Sequence, residues 1–270
     1  MSVVAICNHK GGTGKTTSAV HVAAALGLSG LDPLVIDLDP QGFLTHMVGI
    51  DEPPEEESSL ALFEEENDVG TVPVRTVSNF DLIAYSGNLV NAVRRLDDPT
   101  DVFWVKEALG VDHEYDLVLI DTAAAVTVYS LNALAAADHV IVPVVPEYQP
   151  VVGAEQTYQT CRLVSEKLNP ELAKPHFLFT QVDGRKRSHR QYQQYIRRRY
   201  ENQVFDQVIR TSTSLSETSA DGTTVFDRSL SSRGARDYAN VADEVVQRMG
   251  PADAAAAVAD LAEKEAAETR

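Results

Sequence analysis

The chain has 270 residues, of which 44% are hydrophobic and 23% charged. This composition excludes wholesale disorder and suits one large α/β domain or two small ones. The apolar runs are shorter than the roughly 18 residues that a transmembrane helix requires. The 23 Lys and Arg against 40 Asp and Glu give a net charge of −17, which, if evenly spread, would repel nucleic acid and anionic membranes.

The cysteine content and the first residues favour a cytoplasmic protein. Cys7 and Cys161 are the two cysteines of the chain, too few for a disulfide scaffold or a cysteine-rich metal site and typical of a reducing compartment. The chain enters an apolar run directly, without the basic segment and cleavage site of a signal peptide. We therefore expect no signal peptide.

Short apolar, β-branched runs alternate along the chain with segments of helical periodicity. We expect strands at residues 3–7, 34–37, 117–120, 140–142 and 177–179. We expect helices at residues 16–28, 101–109, 153–168, 188–200 and 235–249. The predicted strands are almost uniformly apolar, as in a parallel sheet covered on both faces. The alternation predicts an α/β fold, a doubly wound, mostly parallel sheet with helices on both faces.

The same pattern predicts a single domain over residues 1–250. No internal repeat and no Pro/Gly-rich linker interrupts it. Residues 251–270 are an acidic, Ala/Glu-rich tail, which we expect to be a short helix or a frayed extension.

A glycine-rich segment lies between the first predicted strand and the first predicted helix. Its residues are Lys10, Gly11, Gly12, Thr13, Gly14, Lys15, Thr16 and Thr17. Glycines let backbone N–H groups surround phosphate oxygens, and the positive end of the helix dipole faces the same anion. In such a loop Lys15 reaches the β- and γ-phosphates, and the Thr16 hydroxyl ligates Mg²⁺. The strand–loop–helix context therefore predicts a nucleotide-binding phosphate loop.

The loop departs from the common phosphate-loop pattern at its start. The pattern has glycine at position 9, where this chain has His9, and Lys10 stands at the front of the loop. KGGTGKTT resembles the deviant Walker A motif of the ParA/MinD family of ATPases. This resemblance implies ATP and Mg²⁺ as cofactors and a homodimer that forms on ATP binding. It also implies that Lys10 reaches the nucleotide of the partner protomer.

Further segments extend the resemblance over residues 2–249. LVIDLDPQG at 34–42, YDLVLIDT at 115–122 and SRGARDY at 232–238 are similar to segments of ParA/Soj-type partition ATPases. The resemblance implies that Asp121 holds Mg²⁺ through water, that Asp37 supports the metal shell, and that Asp39 positions the attacking water. The expected catalytic residues are Lys10, Lys15 and Asp39, and the expected metal residues are Thr16, Asp37 and Asp121. Capping of a turn is the alternative for Asp37.

Charge is distributed unevenly along the chain. Residues 51–68 contain nine acids and no Lys or Arg, whereas residues 185–199 contain seven basic residues and no acid. Helical spacing places arginines on one face of the basic segment and tyrosines with Ile196 on the other. In the ParA family the corresponding region binds DNA without sequence preference. We therefore expect nonspecific DNA contacts from Arg185, Lys186, Arg187, Arg190, Arg197 and Arg198. A solvated arginine face is the alternative.

The leading hypothesis is a slow, partner-stimulated ATPase that segregates chromosome or plasmid DNA on the nucleoid with a ParB-like activator. A ParA-like ATPase that positions a protein cargo through an adaptor, and a non-hydrolysing nucleotide-binding scaffold, are alternatives. A MinD-like division regulator would need a basic amphipathic C-terminal helix. Residues 251–270 contain five acids and two basic residues, so we expect no membrane partner. Residues 123–125 are alanines where the family usually has two prolines and a small polar residue, which leaves this segment freer.

Overall fold

The structure is a computed structural model that describes residues 1–94, 96 and 98–250. Its strands are β1 (Ser2–Ile6), β2 (Pro33–Asp37), β3 (Arg75–Val77), β4 (Phe80–Ile83), β5 (Leu117–Asp121), β6 (His139–Val144) and β7 (His176–Phe179). Its helices are α1 (Lys15–Leu28), α2 (Phe43–Met47), α3 (Leu89–Ala92), α4 (Trp104–Ala108), α5 (Val128–Ala136), α6 (Tyr148–Lys167), α7 (Arg187–Tyr200), α8 (Thr213–Asp221), α9 (Val225–Arg228) and α10 (Arg233–Met249). Short 3₁₀ helices lie at Glu55–Glu57, Ser59–Phe63, Pro99–Phe103 and Glu201–Gln203.

The strands form one sheet in the order β3-β4-β2-β5-β1-β6-β7. All neighbouring strands are parallel except β3, which runs antiparallel to β4. The expected fold class, a doubly wound, mostly parallel sheet with helices on both faces, is confirmed. Parallel pairing brings the carboxyl ends of β1, β2 and β5 to one edge, where Asp121 is in register with both Ile6 and Asp37. In open α/β sheets ligands bind at this edge.

Alternating residues of the sheet enter two separate hydrophobic cores. In β1, Val3 and Ala5 face one core and Val4 and Ile6 face the other. The first core is completed by residues of α4, α5 and α6, and the second by residues of α1 and α10. Burial on both faces explains why the central strands have no polar positions between their apolar ones.

Several elements differ from the sequence-based expectations. The edge strand β3 and its neighbour β4 were not predicted, because Asp81 interrupts the apolar run of β4. Its carboxylate instead accepts hydrogen bonds from Thr76 Oγ1 (2.8 Å) and Tyr115 OH (3.0 Å). The helix predicted at 101–109 is divided into the 3₁₀ helix Pro99–Phe103 and α4. Helix α6 begins at Tyr148 rather than at 153, with Pro150 in its first turn, where no intrahelical N–H bond is lost.

The single-domain assignment of residues 1–250 stays a prediction, and the predicted acidic tail at 251–270 lies outside the described residues. No helix in the part of the chain that the structure describes is long and apolar enough to cross a bilayer.

Candidate nucleotide-binding site

The glycine-rich loop lies between β1 and α1 at the carboxyl edge of the sheet. Gly12 (φ 74°) and Gly14 (φ 87°) have left-handed backbone conformations, which glycine adopts without strain. Gly14 is the N-cap of α1, and no side chain caps this helix. The first N–H groups of α1 are therefore free to bind an anion.

A cleft of about 510 Å³ opens over this loop. It is lined by residues 11–17 of the loop, Asp39, Phe43, His46, Met47 and Ala124. The fold therefore brings the predicted phosphate-binding residues, including Lys15, together with the predicted catalytic residue Asp39. Lys10 is exposed and lies beside this lining.

Asp121 and Thr16 fit a magnesium ion. The Thr16 hydroxyl donates a hydrogen bond to Asp121 Oδ2 (2.7 Å), while Asp121 Oδ1 is buried and has no hydrogen-bond partner among the described residues. Burial and the neighbouring Asp37 carboxylate raise the pKa of Asp121 to about 8. A buried carboxylate oxygen without a hydrogen-bond partner raises the free energy of the folded state unless a cation, or water bound to it, contacts that oxygen. Mg²⁺ takes few protein ligands and keeps several waters, so one carboxylate and one hydroxyl are enough.

Asp37 lies beside Asp121, but its oxygens are engaged within the protein. Oδ1 accepts from Asp39 N (3.1 Å), and Oδ2 accepts from the backbone N (3.0 Å) and the hydroxyl (2.8 Å) of Thr45. Burial raises the pKa of Asp37 to about 7. These contacts fit the supporting role that the resemblance implies, and they equally fit the turn-capping alternative. Thr45 had no sequence signal, because only the folded turn brings it to Asp37.

Asp39 occupies a tight turn after β2 and is 7% exposed. Its Oδ1 accepts a hydrogen bond from Gln41 N (3.0 Å), and its carbonyl accepts from Gly42 N (2.8 Å). The second carboxylate oxygen of Asp39 has no hydrogen-bond donor among the described residues. It is therefore available to a water molecule in the cleft.

Within residues 1–94, 96 and 98–250, no three His, Cys, Asp or Glu side chains are grouped as a metal cage.

Lys10 has an exposed side chain and a fixed backbone. Its backbone N donates to Asn8 Oδ1 (2.9 Å), and among the described residues its ammonium group has no ion-pair partner. The segment after β7 stabilises the loop, because Thr180 Oγ1 donates a hydrogen bond to Thr13 O (2.7 Å) and Gln181 Nε2 donates one to Gly12 O (2.9 Å).

The predicted DNA-binding residues divide into two groups on α7 and the turn before it. Arg187, Arg190 and Arg198 are exposed on one face, and no ion pair among the described residues involves them, although Arg190 Nη1 donates a hydrogen bond to the carbonyl of Gly184 (3.3 Å). The other three are engaged internally. Arg185 pairs with Asp183 (2.9 Å), Lys186 pairs with Glu147 (2.9 Å), and Arg197 donates to the carbonyl of Phe205 (3.0 Å).

The opposite face of α7 packs on the protein through His189, Ile196 and Tyr200. Tyr195, expected on this packed face, is 42% exposed and donates a hydrogen bond to Glu155 Oε1 (2.9 Å). The helix therefore presents an arginine face to solvent, with Gln191 and Gln194 between the arginines.

The sheet topology and the loop at its carboxyl edge define a P-loop nucleotide-binding protein. A family model described as "AAA domain" matches residues 1–174. The chain is 32% identical over 246 residues to the sporulation initiation inhibitor protein Soj of Bacillus subtilis, covering 90% of this chain and 97% of that protein. It is 36% identical over 247 residues to the chromosome-partitioning ATPase Soj of Thermus thermophilus, covering 91% and 96%.

A solved structure of cobyrinic acid a,c-diamide synthase from Mycobacterium smegmatis with bound ADP and magnesium is also similar. It has 30% identity and a TM-score of 0.78, covering 92% of this chain and 94% of that one. The chain belongs to the ParA/Soj-type ATPases of the ParA/MinD family. The expected cofactors, ATP and Mg²⁺, are confirmed by the ADP and magnesium bound in this structure and by the ATP analogue and magnesium bound in a second structure of the same relative.

Proposed function

We propose that the chain is a partition ATPase that dimerises on Mg-ATP, binds DNA without sequence preference through α7, and hydrolyses ATP to segregate chromosome or plasmid DNA. The proposal places the protein in the cytoplasm on the nucleoid, with a ParB-like activator that stimulates slow hydrolysis. The observation that carries the DNA-binding part is the exposed arginine face of α7, which has no ion pair among the described residues, on a chain whose net charge is −17.

The proposed chemistry is phosphoryl transfer to water, in which the protein positions groups and offsets charge. The N–H groups of the loop and Lys15 hold the β- and γ-phosphates, and Thr16 and Asp121 hold the metal with its water. When bound, Mg²⁺ neutralises charge on the phosphate oxygens. Asp39 accepts a hydrogen bond from the attacking water and orients it.

Dimerisation is proposed because the Lys10 side chain is exposed at the front of the loop and has no ion-pair partner within residues 1–94, 96 and 98–250. If a second protomer faced the cleft, the phosphates of its bound nucleotide would be the anionic partner of Lys10. The same pairing would bring two α7 faces to one assembly, and two linked weak sites bind far more tightly than one.

Nonspecific DNA binding follows from the chemistry of the arginine face. Guanidinium groups bind phosphates through a planar fork, and phosphate contacts supply essentially all nonspecific affinity. Arg185, Lys186 and Arg197 are held in ion pairs. Arg187, Arg190 and Arg198, which have no ion pair among the described residues, are proposed as the main contacts.

The test is fluorescence anisotropy on two unrelated DNA duplexes with ATP, with ADP and without nucleotide. The wild type should bind both duplexes equally and only with ATP. Replacing Arg187, Arg190 and Arg198 together by Gln should weaken binding at least tenfold and lower the salt dependence by about one unit of log–log slope per lost contact. The matched control replaces Arg75, Arg162 and Arg236 by Gln, which removes the same charge elsewhere.

Two results would contradict this function. Undiminished binding by the α7 variant would place the DNA contacts elsewhere. Absence of wild-type binding at low salt would favour an ATPase that positions a protein cargo.

A further inference from the structure

The Asp39 turn is closed by a residue outside the cleft, Tyr85. Gly42 ends the turn with a left-handed backbone (φ 59°), and a Cβ at this position would overlap the Tyr85 ring. Tyr85 follows β4 and is 7% exposed. Its hydroxyl donates to Glu52 Oε2 (3.2 Å), and His46 contacts the ring edge-on, with 5.2 Å between ring centroids. The Tyr85 ring is therefore held in place, and the turn packs against it.

Thr45 is hydrogen-bonded to both Tyr85 and Asp37. It is fully buried. Its hydroxyl donates to Asp37 Oδ2 (2.8 Å) and accepts from Tyr85 N (3.0 Å), so a single oxygen connects β2 to the segment after β4. Loss of this hydroxyl would leave the buried N–H of Tyr85 without a partner, which is costly.

The contacts of Thr45 and Tyr85 fix the two ends of the turn that contains Asp39. Asp39 N donates to Asp37 Oδ1 (3.1 Å), which fixes the start of the turn, and Gly42 N donates to Asp39 O (2.8 Å), which fixes its end. Thr45 holds the Asp37 side and Tyr85 the Gly42 side. Neither Thr45 nor Tyr85 lines the cleft. Their contacts reach it through Asp37 and Asp39, and, for Tyr85, also through His46.

We propose that Tyr85 and Thr45 are positioning residues for hydrolysis, which together hold the turn that aims the Asp39 carboxylate at the attacking water. The inference rests on the proposed role of Asp39 in orienting that water. A displacement of about 1 Å in a reacting group can cost on the order of a hundredfold in rate. A turn held at both ends therefore matters more for turnover than for nucleotide affinity.

The first experiment compares kcat with the affinity for a non-hydrolysable ATP analogue in the presence of Mg²⁺. Gly42→Ala should lower kcat at least tenfold, because its Cβ pushes the turn off the Tyr85 ring, and should leave analogue affinity within about threefold. Gly49→Ala is the matched control. Gly49 has the same left-handed backbone (φ 73°) but room for a Cβ, with no atom nearer than 3.4 Å.

The second experiment removes the two side chains in graded steps. Tyr85→Ala and Thr45→Val should lower kcat in the same way as Gly42→Ala, whereas Tyr85→Phe keeps the ring and Thr45→Ser keeps the hydroxyl, so both should remain near the wild-type rate. Val245→Ala, in the buried face of α10, controls for loss of stability. If Val245→Ala at equal loss of thermal stability lowers kcat as much as Tyr85→Ala, the positioning role is overturned.

A double-mutant cycle with Asp39→Ala separates this inference from the proposed function. On the residual hydrolysis rate of Asp39→Ala, measured at high enzyme concentration, Tyr85→Ala and Gly42→Ala should cause no further loss, because residues that act through one group are not additive. Additive losses would overturn the inference. If Asp39→Ala abolishes hydrolysis while Gly42→Ala and Tyr85→Ala retain wild-type kcat, the inference alone fails. If Asp39→Ala hydrolyses ATP normally, the proposed role of Asp39 fails and the inference fails with it.

Discussion

Gly153 of α6 packs directly against Lys10. A Cβ on Gly153 would lie 2.9 Å from Lys10 Cβ and 3.1 Å from Asn8 Oδ1. The absence of a side chain at this helical position lets the front of the phosphate loop lie on α6, so the direction of the Lys10 side chain depends on a residue 143 positions later in the chain.

This contact predicts that Gly153→Ala shifts the Lys10 side chain and leaves the binding of the nucleotide phosphates unchanged. We expect Gly153→Ala to weaken ATP-dependent dimerisation and Lys10→Ala to abolish it, while both variants bind nucleotide as monomers. Light scattering with ATP measures the dimer. Gly184→Ala is the control, because that glycine has open space around its Cβ position and no left-handed backbone. Normal dimerisation by Lys10→Ala would mean that Lys10 acts only within its own protomer.

Lys15→Ala should abolish tight binding of Mg-ATP. Lys15 is the first residue of α1 and lines the cleft, where its ammonium group is a charged hydrogen-bond donor. Hydrogen bonds to charged groups contribute about 1.5–3 kcal/mol each. Loss of one or two such bonds lowers affinity about tenfold to more than a thousandfold. Isothermal titration calorimetry measures the change, with Lys106→Ala on α4 as the control. Unchanged affinity would contradict the phosphate-loop assignment.

Asp39→Ala should retain Mg-ATP and lose hydrolysis. The carboxylate lines the cleft beside the loop but is not among the groups expected to hold the phosphates. We expect wild-type affinity for ATP, loss of phosphate release, and accumulation of the ATP-bound dimer. Phosphate-release kinetics and light scattering are the measurements, and Asp112→Ala, an exposed carboxylate, is the control. Phosphate release at the wild-type rate would give Asp39 a different role.

The buried ring of His21 should make the stability of the protein sensitive to acid. Nδ1 donates to Thr17 O (2.8 Å), whereas Nε2 is buried and has no hydrogen-bond partner in the part of the chain that the structure describes. The ring stacks on Tyr238, with 5.0 Å between centroids. Burial lowers the pKa of His21 to about 4, against the opposing effects of the Thr17 carbonyl and the Asp227 carboxylate. The unfolded chain therefore binds a proton below pH 6.5 that the folded chain accepts only near pH 4.

It follows that His21 destabilises the fold progressively as the pH falls from about 6.5 to about 4. In that window the free energy of unfolding of the wild type should fall relative to His21→Gln by up to roughly 3 kcal/mol. Comparison of the two proteins cancels the other titrating groups. Urea unfolding between pH 7 and pH 4 measures the difference. Parallel pH profiles for the two proteins would show that the His21 ring does not have a lowered pKa in the folded state.

The phosphate loop could be predicted because its chemistry is contiguous. Residues 10–17 contain the glycines, the lysines and the hydroxyl in sequence, and the flanking strand and helix are recognisable from local periodicity. The fold class was predictable for a related reason, since strands buried on both faces are apolar throughout. The edge strand β3 and its neighbour β4 were not predicted because the side chains of Thr76 and Asp81 are hydrogen-bonded between these two strands, a contact that local patterns do not contain.

The assembly of the site was decided by tertiary structure. Thr16 and Asp121 are 105 residues apart in the chain, and only the parallel register of β1, β5 and β2 brings Asp121 to the loop and Asp37 beside it. Likewise, composition identified the basic segment, but only packing showed which arginines already have partners. A sequence specifies residue types and local conformation, whereas partners and register depend on where distant segments pack against one another.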